Sequence, residues 1–507
     1  MSKLKIASLL LLVSTVFLKF SSMIREMVIA GLFGKSYEAD VYFVAMTIPN
    51  ALVLFLLTGM KEAFLPSYYK FEREGKGFSH LTNIVKGTFW IALIVSFIGA
   101  AISPLLVRFL YPEFAKYEHG MEIATWTAVL YFFSLALVGV NAVYEGYFDA
   151  RKKFSFSVFS QTIVVLSTIG FAILFHDSLG IYGLPIGYLV GTFLSFLLKL
   201  FVMKPNRFLN WKQKMDKQEV RQFYAIFWPV GLTIAVGQIN LMVNMLFASR
   251  LGEGVASGLN YAFRLVNIPQ AIFGVTIATI IFPILAQAKS DQNDALFKRG
   301  IEKGLNYMFL FLAPTVIGML LLMEPIVRLA YERGAFTAEA TAQTTLFAAF
   351  YMGSVLFYSI QAVIAKGFYT LDKGHLMMRI GLLSVVINII SNWILSKWMG
   401  PEGLALSASL VGMIYSIITF TTLYKLMGGF SLRHIGSEYV KIILATSAMA
   451  ALLIAIDRYL PVAELHDVIY LAIMVAIGAG AYFVALFLTR STSMKEMLRR
   501  GGKETSS

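Results

Sequence analysis

The sequence predicts an all-α, polytopic membrane protein of about fourteen transmembrane helices, arranged as two six-helix lobes plus two C-terminal helices. Three observations predict it. Hydrophobic residues make up 58% of the 507-residue chain, charged residues only 14%, and the mean hydropathy is +0.72. Apolar runs of about 20 residues, the length that crosses a bilayer's hydrocarbon core, recur from end to end. Basic residues concentrate in alternate connections between these runs.

The first run, 6–33, follows Lys3 and Lys5 as a secretory leader would. No small-residue cleavage site follows it and Lys19 interrupts it, so it reads as an uncleaved helix. Runs 37–66, 84–110, 121–149, 155–176 and 182–204 complete an N-lobe over residues 1–204. In the last of these, Gly183, Gly187 and Gly191 recur every fourth residue and form a smooth face for close packing. Residues 205–222 read either as an amphipathic linker, with Phe208, Leu209, Trp211 and Met215 resting on lipid, or as a solvated loop. Runs 223–250, 258–287, 299–324, 338–368, 376–398 and 403–427 form a C-lobe over 223–427. Runs 437–459 and 467–490 lie in an appended segment, 428–490, and residues 491–507 are a basic tail. Several runs are longer than a bilayer needs, and Pro49, Pro269 and Pro283 fall inside them, so tilts and kinks are expected.

With the amino terminus in the cytoplasm, 30 of the 43 Lys and Arg residues fall in cytoplasmic segments, eight on the opposite side and five within spans. This asymmetry places both termini in the cytoplasm and requires an even number of spans. The formal charge of +14 is thus a topology signal, spread over short loops and not gathered into a nucleic-acid surface. The absence of cysteine excludes disulfides, thiolate metal sites and a cysteine nucleophile. His80, His119, His176, His375, His434 and His466 lie near span ends without metal-ligand spacing. No GxxxxGK[ST] or GxGxxG phosphate loop occurs, and no nucleophile, base and oxyanion donors are grouped. The expectation is neither an enzyme nor an ATP-driven pump, with no bound cofactor.

An internal repeat relates the halves. At an offset of 218, Met27, Ala30 and Gly34 fall on Met245, Ala248 and Gly252. At an offset of 220, Phe43, Ile48, Pro49 and Ala51 fall on Phe263, Ile268, Pro269 and Ala271. Six spans separate the copies, so the lobes share one orientation, related by an axis along the membrane normal.

Three cations interrupt the apolar runs: Lys19, Arg25 and Arg264. Each costs about 2.5–3.5 kcal/mol at a helix centre on insertion scales, a cost that an anion in a hydrated cavity offsets. Lys19 is about 20 Å from the cytoplasmic start of its helix, beyond side-chain reach of the interface, and so is expected to face protein or water. Arg25 lies about 12 Å below the outer end of the first span and Arg264 about 9 Å below that of the eighth, so the two share a depth. Glu26 and Asp40 offset two of the three charges. A diphosphate would complete the balance, and arginine forks match phosphate oxygens. The alternative is a structural ion pair of Arg25 with Glu26 or Asp40, with Arg264 reaching outward to the interface. Asn388 with Asn392, and Asn240 with Asn244, stand at i, i+4 and offer amide oxygens to a monovalent cation or hydrogen bonds to neighbouring helices. Lys61 and Glu62, with Glu145 and Asp149, lie toward cytoplasmic ends, as an ion-paired gate or as solvated helix ends.

The segments REMVIAGLFGKSYEADVYFVAMTIPN (25–50), YPEFA (111–115), YAFRLVNIPQAIFGVTIATIIFPILA (261–286), RGAFTAEATAQT (333–344), GFYTLD (367–372) and GLALSASL (403–410) together make the chain similar to the MurJ lipid II flippases of the MOP exporter superfamily. The resemblance covers nearly the whole length. It implies two lobes around a cationic cavity, and a groove from the last two helices holding an undecaprenyl tail. It also implies Lys19, Arg25, Glu26, Asp40 and Arg264 as substrate-binding residues. The activity implied is movement of the undecaprenyl-diphosphate-linked peptidoglycan precursor from inner to outer leaflet by alternating access. A monovalent cation, with Asn244, Asn388 and Asn392 as its site, or the membrane potential would drive it. The expected partners are lipid II, membrane lipids and the cell-wall synthesis machinery, for a monomer in a bacterial inner membrane. Two departures stand out. Val53, Leu54 and Thr58 occupy positions where the family usually carries an arginine and an EGA-like triplet, and Gly374-His375 replaces a TP pair. They leave open a flippase for another polyprenyl-diphosphate oligosaccharide, such as a capsule or exopolysaccharide unit. A cation-coupled drug exporter would need an acidic cavity, and a non-transporting scaffold would give the intramembrane charges no role.

Overall fold

A computed structural model describes residues 3–203, 209–459 and 466–496. Among the described residues the chain is helical, without strands. Helices of nine residues or more are numbered here in chain order: α1 Lys3–Phe33, α2 Tyr37–Ala45, α3 Thr47–Arg73, α4 Gly77–Leu110, α5 Gly120–Ala150, α6 Phe154–Leu174, α7 Gly183–Met203, α8 Lys217–Ala248, α9 Val255–Pro269, α10 Val275–Ser290, α11 Asp294–Leu321, α12 Met323–Tyr331, α13 Ala338–Thr370, α14 Gly374–Met399, α15 Pro401–Leu426, α16 Leu432–Tyr459 and α17 Asp467–Leu488. Twelve helical segments among the described residues are long and apolar enough to cross a membrane. The 31-residue α1 and the 32-residue α8 are further long helices.

The chain forms two compact units, Met1–Ser257 with Arg333–Phe336, and Gly258–Glu332 with Thr337–Ser507. In the first, α1 lies along α6, α3 and α4 pack on α5, and α6 packs on α7. The α6–α7 contact is made at backbone distance. A Cβ on Gly187 would stand 2.9 Å from the Thr168 Cα, and one on Gly191 would stand 2.8 Å from the Val164 Cα. Lipid supplies no hydrophobic drive for helices to associate, so such small-residue contacts carry the packing. The core of the unit is aromatic, with Phe64, Tyr68, Tyr144, Phe223 and Phe227 all buried.

Through Phe223 and Phe227, α8 belongs to this unit, although chain order assigned it to the second lobe. It begins at Lys217 because Asp216 caps it, its carboxylate accepting from the Gln218 and Glu219 N–H groups at 2.9 and 3.2 Å. The expected linker 205–222 is therefore partly helix, and its residues 205–208, including Phe208, lie outside the described residues. The remainder is pinned to α4. Lys86 donates to the Trp211 and Gln213 carbonyls, and Gln213 donates to Asn83 at 2.9 Å. Leu209 is buried there and Trp211 exposed.

The expected single span 37–66 is two helices, α2 and α3, interrupted at Met46. Pro49 is the cause, since its ring displaces the carbonyl four residues back, at Ala45, where α2 stops. The expected span 258–287 is also interrupted. After Pro269 the chain makes a π-turn, Gln270–Gly274, before α10 resumes. The two repeat-related prolines thus break their helices by different devices.

In the second unit α13 packs on α15, α14 on α15, and α16 on both α17 and α11. Tyr482 of α17 donates its hydroxyl to the Leu310 carbonyl of α11 at 2.6 Å. The opposite faces of the pair carry exposed Val440, Ile443, Leu444, Val475, Val484 and Phe487.

Candidate functional site

Arg25 and Glu26 are neighbours on α1, whose side chains would normally diverge. Here the guanidinium turns back onto the buried Glu26 carboxylate at 2.7 Å while keeping 22% of its own side-chain surface open. A guanidinium held by one carboxylate keeps further N–H donors for a second anion. Around it stand three tyrosines within electrostatic reach, Tyr42, Tyr131 and Tyr188. The Tyr42 and Tyr131 hydroxyls are 3.0 Å apart, and the Tyr131 ring stacks on Tyr188 with centroids 4.6 Å apart. These hydroxyls, on α2, α5 and α7, were not singled out from the sequence. Aromatic residues are common in any apolar helix, and nothing in the chain marks which of them meet.

Asp40 does not join this group. Its carboxylate accepts from the Gly254 and Ser257 N–H groups at 2.5 and 2.6 Å, at the opening turn of α9. In return Glu253 accepts from the Tyr37 N–H, the first of α2, at 3.2 Å. Each helix start is thus capped by an acid from the other segment, which satisfies orphan donors and sets negative charge at a positive helix end. The sequence reading set Asp40 as a cavity countercharge; the structure gives its carboxylate two backbone donors.

Lys19 is exposed rather than packed in protein, and Arg264, on α9 in the second unit, is exposed too. Asn388 and Asn392 are buried on one face of α14, and Asn240 and Asn244 lie half-buried on α8. Among the described residues no group of three His, Cys, Asp or Glu side chains is placed to hold a metal ion.

A second charged cluster went unread as such in the sequence. Lys199, on α7, is fully buried, and its ammonium donates to Ser195 at 2.8 Å, to Asn141 at 3.0 Å and to Glu145 at 3.4 Å. The other Glu145 oxygen pairs with Lys61 at 3.4 Å and accepts from Gln161 at 2.6 Å, and Lys61 also reaches Asp149 at 3.5 Å. Two cations and two carboxylates from α3, α5 and α7 balance inside the first unit. The charged set read from sequence either as an ion-paired gate or as solvated helix ends is paired within one unit, because Lys61 of α3 faces α5, on which α3 packs.

The profile of the family described as lipid II flippase MurJ matches residues 29–486. The chain belongs to this family. The lipid II flippase MurJ of Burkholderia cenocepacia is 26% identical over 423 residues, covering 81% of this chain and 82% of the relative. A probable lipid II flippase MurJ of Bdellovibrio bacteriovorus is 24% identical over 92% of this chain and 88% of its own length. A solved lipid II flippase MurJ in an inward closed conformation shares the fold, with a TM-score of 0.80 at 24% identity over 94% of this chain and 98% of that one. An inward-facing multidrug resistance MATE family transporter of the MOP superfamily has a TM-score of 0.69 at 12% identity, over 81% of this chain and 94% of that one. The chain is thus a polytopic helical membrane protein of the MurJ family within a wider MOP fold.

Two MurJ segments quoted from the sequence, GLFGKSYEAD and RGAFTAEA, meet in the structure. Ala335 donates its N–H to the Gly31 carbonyl at 2.8 Å. Gly34 and Gly334 both take positive φ, +59° and +58°, and a Cβ on either would lie 2.3 or 2.2 Å from a carbonyl oxygen of the other segment. Only glycine fits such a position. At the departure from the MurJ pattern, Val53 is buried and Thr58 exposed on α3.

Proposed function

We propose that this chain is a flippase carrying the diphosphate-sugar head of lipid II from the inner to the outer leaflet of a bacterial inner membrane, with both termini in the cytoplasm. The family match over residues 29–486 carries the reading. The Arg25 site supports it, with a guanidinium that is paired to a single carboxylate and set among tyrosine hydroxyls. Moving a dianion through hydrocarbon is prohibitive without fixed countercharge and a polar path.

In this reading Arg25 and Arg264 are the cations that take the diphosphate during alternating exposure to the two sides. Lys19 adds positive charge about 9 Å nearer the cytoplasmic end of α1 than Arg25, and Glu26 holds Arg25 between cargoes. The apolar outer faces of α16 and α17 accommodate the polyprenyl tail, which stays in the bilayer. Buried Asn388 and Asn392 on α14, and separately Asn244 on α8, offer amide oxygens to a driving monovalent cation, alongside the membrane potential. No covalent bond is made or broken, so the activity is transport and not catalysis. The uncharged Val53, Leu54 and Thr58 favour a second reading, in which the cargo is another polyprenyl-diphosphate oligosaccharide.

The test depletes the endogenous flippase of a bacterium, expresses this chain and measures lipid II at the outer face. Rescue by the unmutated chain is expected, with loss in Arg25→Ala and Arg264→Ala at normal membrane levels. Full rescue by both variants removes the site assignment. Failure of the unmutated chain shifts the cargo to the second reading.

A further inference from the structure

The first compact unit has a groove of about 380 Å³ where α3, α4 and α8 adjoin, the size range of a small-molecule site. Its walls are Phe55 and Leu56 of α3, Ile91 and Val95 of α4, and Phe227 and Trp228 of α8. It opens sideways, since Ile91, Val95 and Trp228 keep 42, 38 and 55% of their surface exposed. At one end Lys217 and Arg221 also line it, both exposed and one helical turn apart on α8. No ion pair occupies either cation among the described residues. The acid between them, Glu219, is turned to α4, where it meets the His80 ring and accepts from Asn83 at 2.6 Å.

The groove is therefore amphipathic along its length. Two cations without an ion pair among the described residues mark the end where α8 begins, and apolar walls continue to Trp228, about 10 Å beyond Arg221 along the helix axis. The cationic end directly follows the basic connection that the Lys and Arg asymmetry places on the cytoplasmic side.

We propose that this groove binds an acidic glycerophospholipid of the cytoplasmic leaflet, its phosphodiester on Lys217 and Arg221 and one acyl chain along Phe55, Ile91, Val95 and Trp228. The apolar wall excludes a soluble phosphate as the natural occupant, because phosphate alone leaves the wall uncovered. The paired cations select acidic over zwitterionic head groups, because a zwitterion sets its own ammonium beside them. A lipid seated there braces α8 against α3 and α4.

The experiment titrates the purified full chain in detergent with phosphatidylglycerol, phosphatidylethanolamine or undecaprenyl phosphate and reads bound lipid by native mass spectrometry. Phosphatidylglycerol is expected to be retained over phosphatidylethanolamine. Lys217→Ala/Arg221→Ala should abolish that preference, at roughly fivefold per cation removed. Val95→Trp, which fills the groove from its open side, should reduce retention of phosphatidylglycerol with both cations intact. Lys152→Ala/Lys153→Ala, two exposed cations outside the groove, should leave retention unchanged. The proposal is overturned if the double variants lose preference equally, if Val95→Trp binds as the parent does, or if undecaprenyl phosphate outcompetes phosphatidylglycerol in a manner abolished by Val95→Trp.

Discussion

Replacing Glu145 with Gln should destabilise the protein more than replacing Lys199 with Met, although the two side chains form one pair. Glu145 serves two cations, Lys199 at 3.4 Å and Lys61 at 3.4 Å. Its neutralisation leaves the Lys199 ammonium, whose side chain has no exposed surface, with only the neutral Asn141 and Ser195 oxygens. An unpaired buried charge of this kind costs about 3–5 kcal/mol. Lys199→Met keeps a linear side chain in the same space. It leaves Glu145 still paired with Lys61 and bonded to Gln161, so the loss is about 1–3 kcal/mol, the cost of leaving the Asn141 and Ser195 oxygens without their donor. The double variant removes a charge of each sign, so its cost should fall below the sum of the single costs by about 1 kcal/mol or more. Denaturation of the purified protein in a fixed detergent, followed by circular dichroism for the parent and all three variants, measures each value. Equal losses from the two single variants, or a strictly additive double, would refute the argument.

Asp40→Asn removes the charge from an acceptor of two short N–H bonds at the start of α9. A loss of about 1–2 kcal/mol is expected in the same denaturation assay, the range of a lost helix cap. Gly34→Ala must hold a left-handed backbone against the Ala335 carbonyl. The conformation alone costs about 1–2 kcal/mol, and the clash should reduce the amount of folded protein recovered from membranes, whereas Gly75→Ala, with open space around it, should show the conformational cost alone. Tyr131→Phe deletes the hydroxyl paired with Tyr42. A loss of about 1 kcal/mol is expected on denaturation, and under the proposed function reduced outer-face lipid II at unchanged membrane levels.

Long apolar runs made most helices legible, because length and hydropathy are local properties that a bilayer enforces. The interruption at Met46 was less so. The run through Pro49 stays apolar on both sides, and hydropathy does not register a lost backbone hydrogen bond. Arg25 and Glu26 were readable as intramembrane charges, and the structure joins them in an ion pair. The role of Asp40 was not, since its partners are backbone N–H groups more than 200 positions along the chain, and a backbone donor leaves no mark on residue identity. Lys199 and Glu145 stand on helices α7 and α5, and only their packing shows that the facing sides match. The contact of Gly34 with Ala335 was hidden for the same reason, although its glycines lay in segments already noted.

The Arg25–Glu26 contact bears on release as much as on capture. If Arg25 takes a diphosphate as proposed, the incoming anion displaces a resident carboxylate instead of filling an empty site, so part of the attraction cancels in the exchange. The same carboxylate, fixed one residue away, competes for the guanidinium when the cargo reaches the far side. Glu26 then works as a built-in eluent, and loosening its hold on Arg25 would trade turnover for grip.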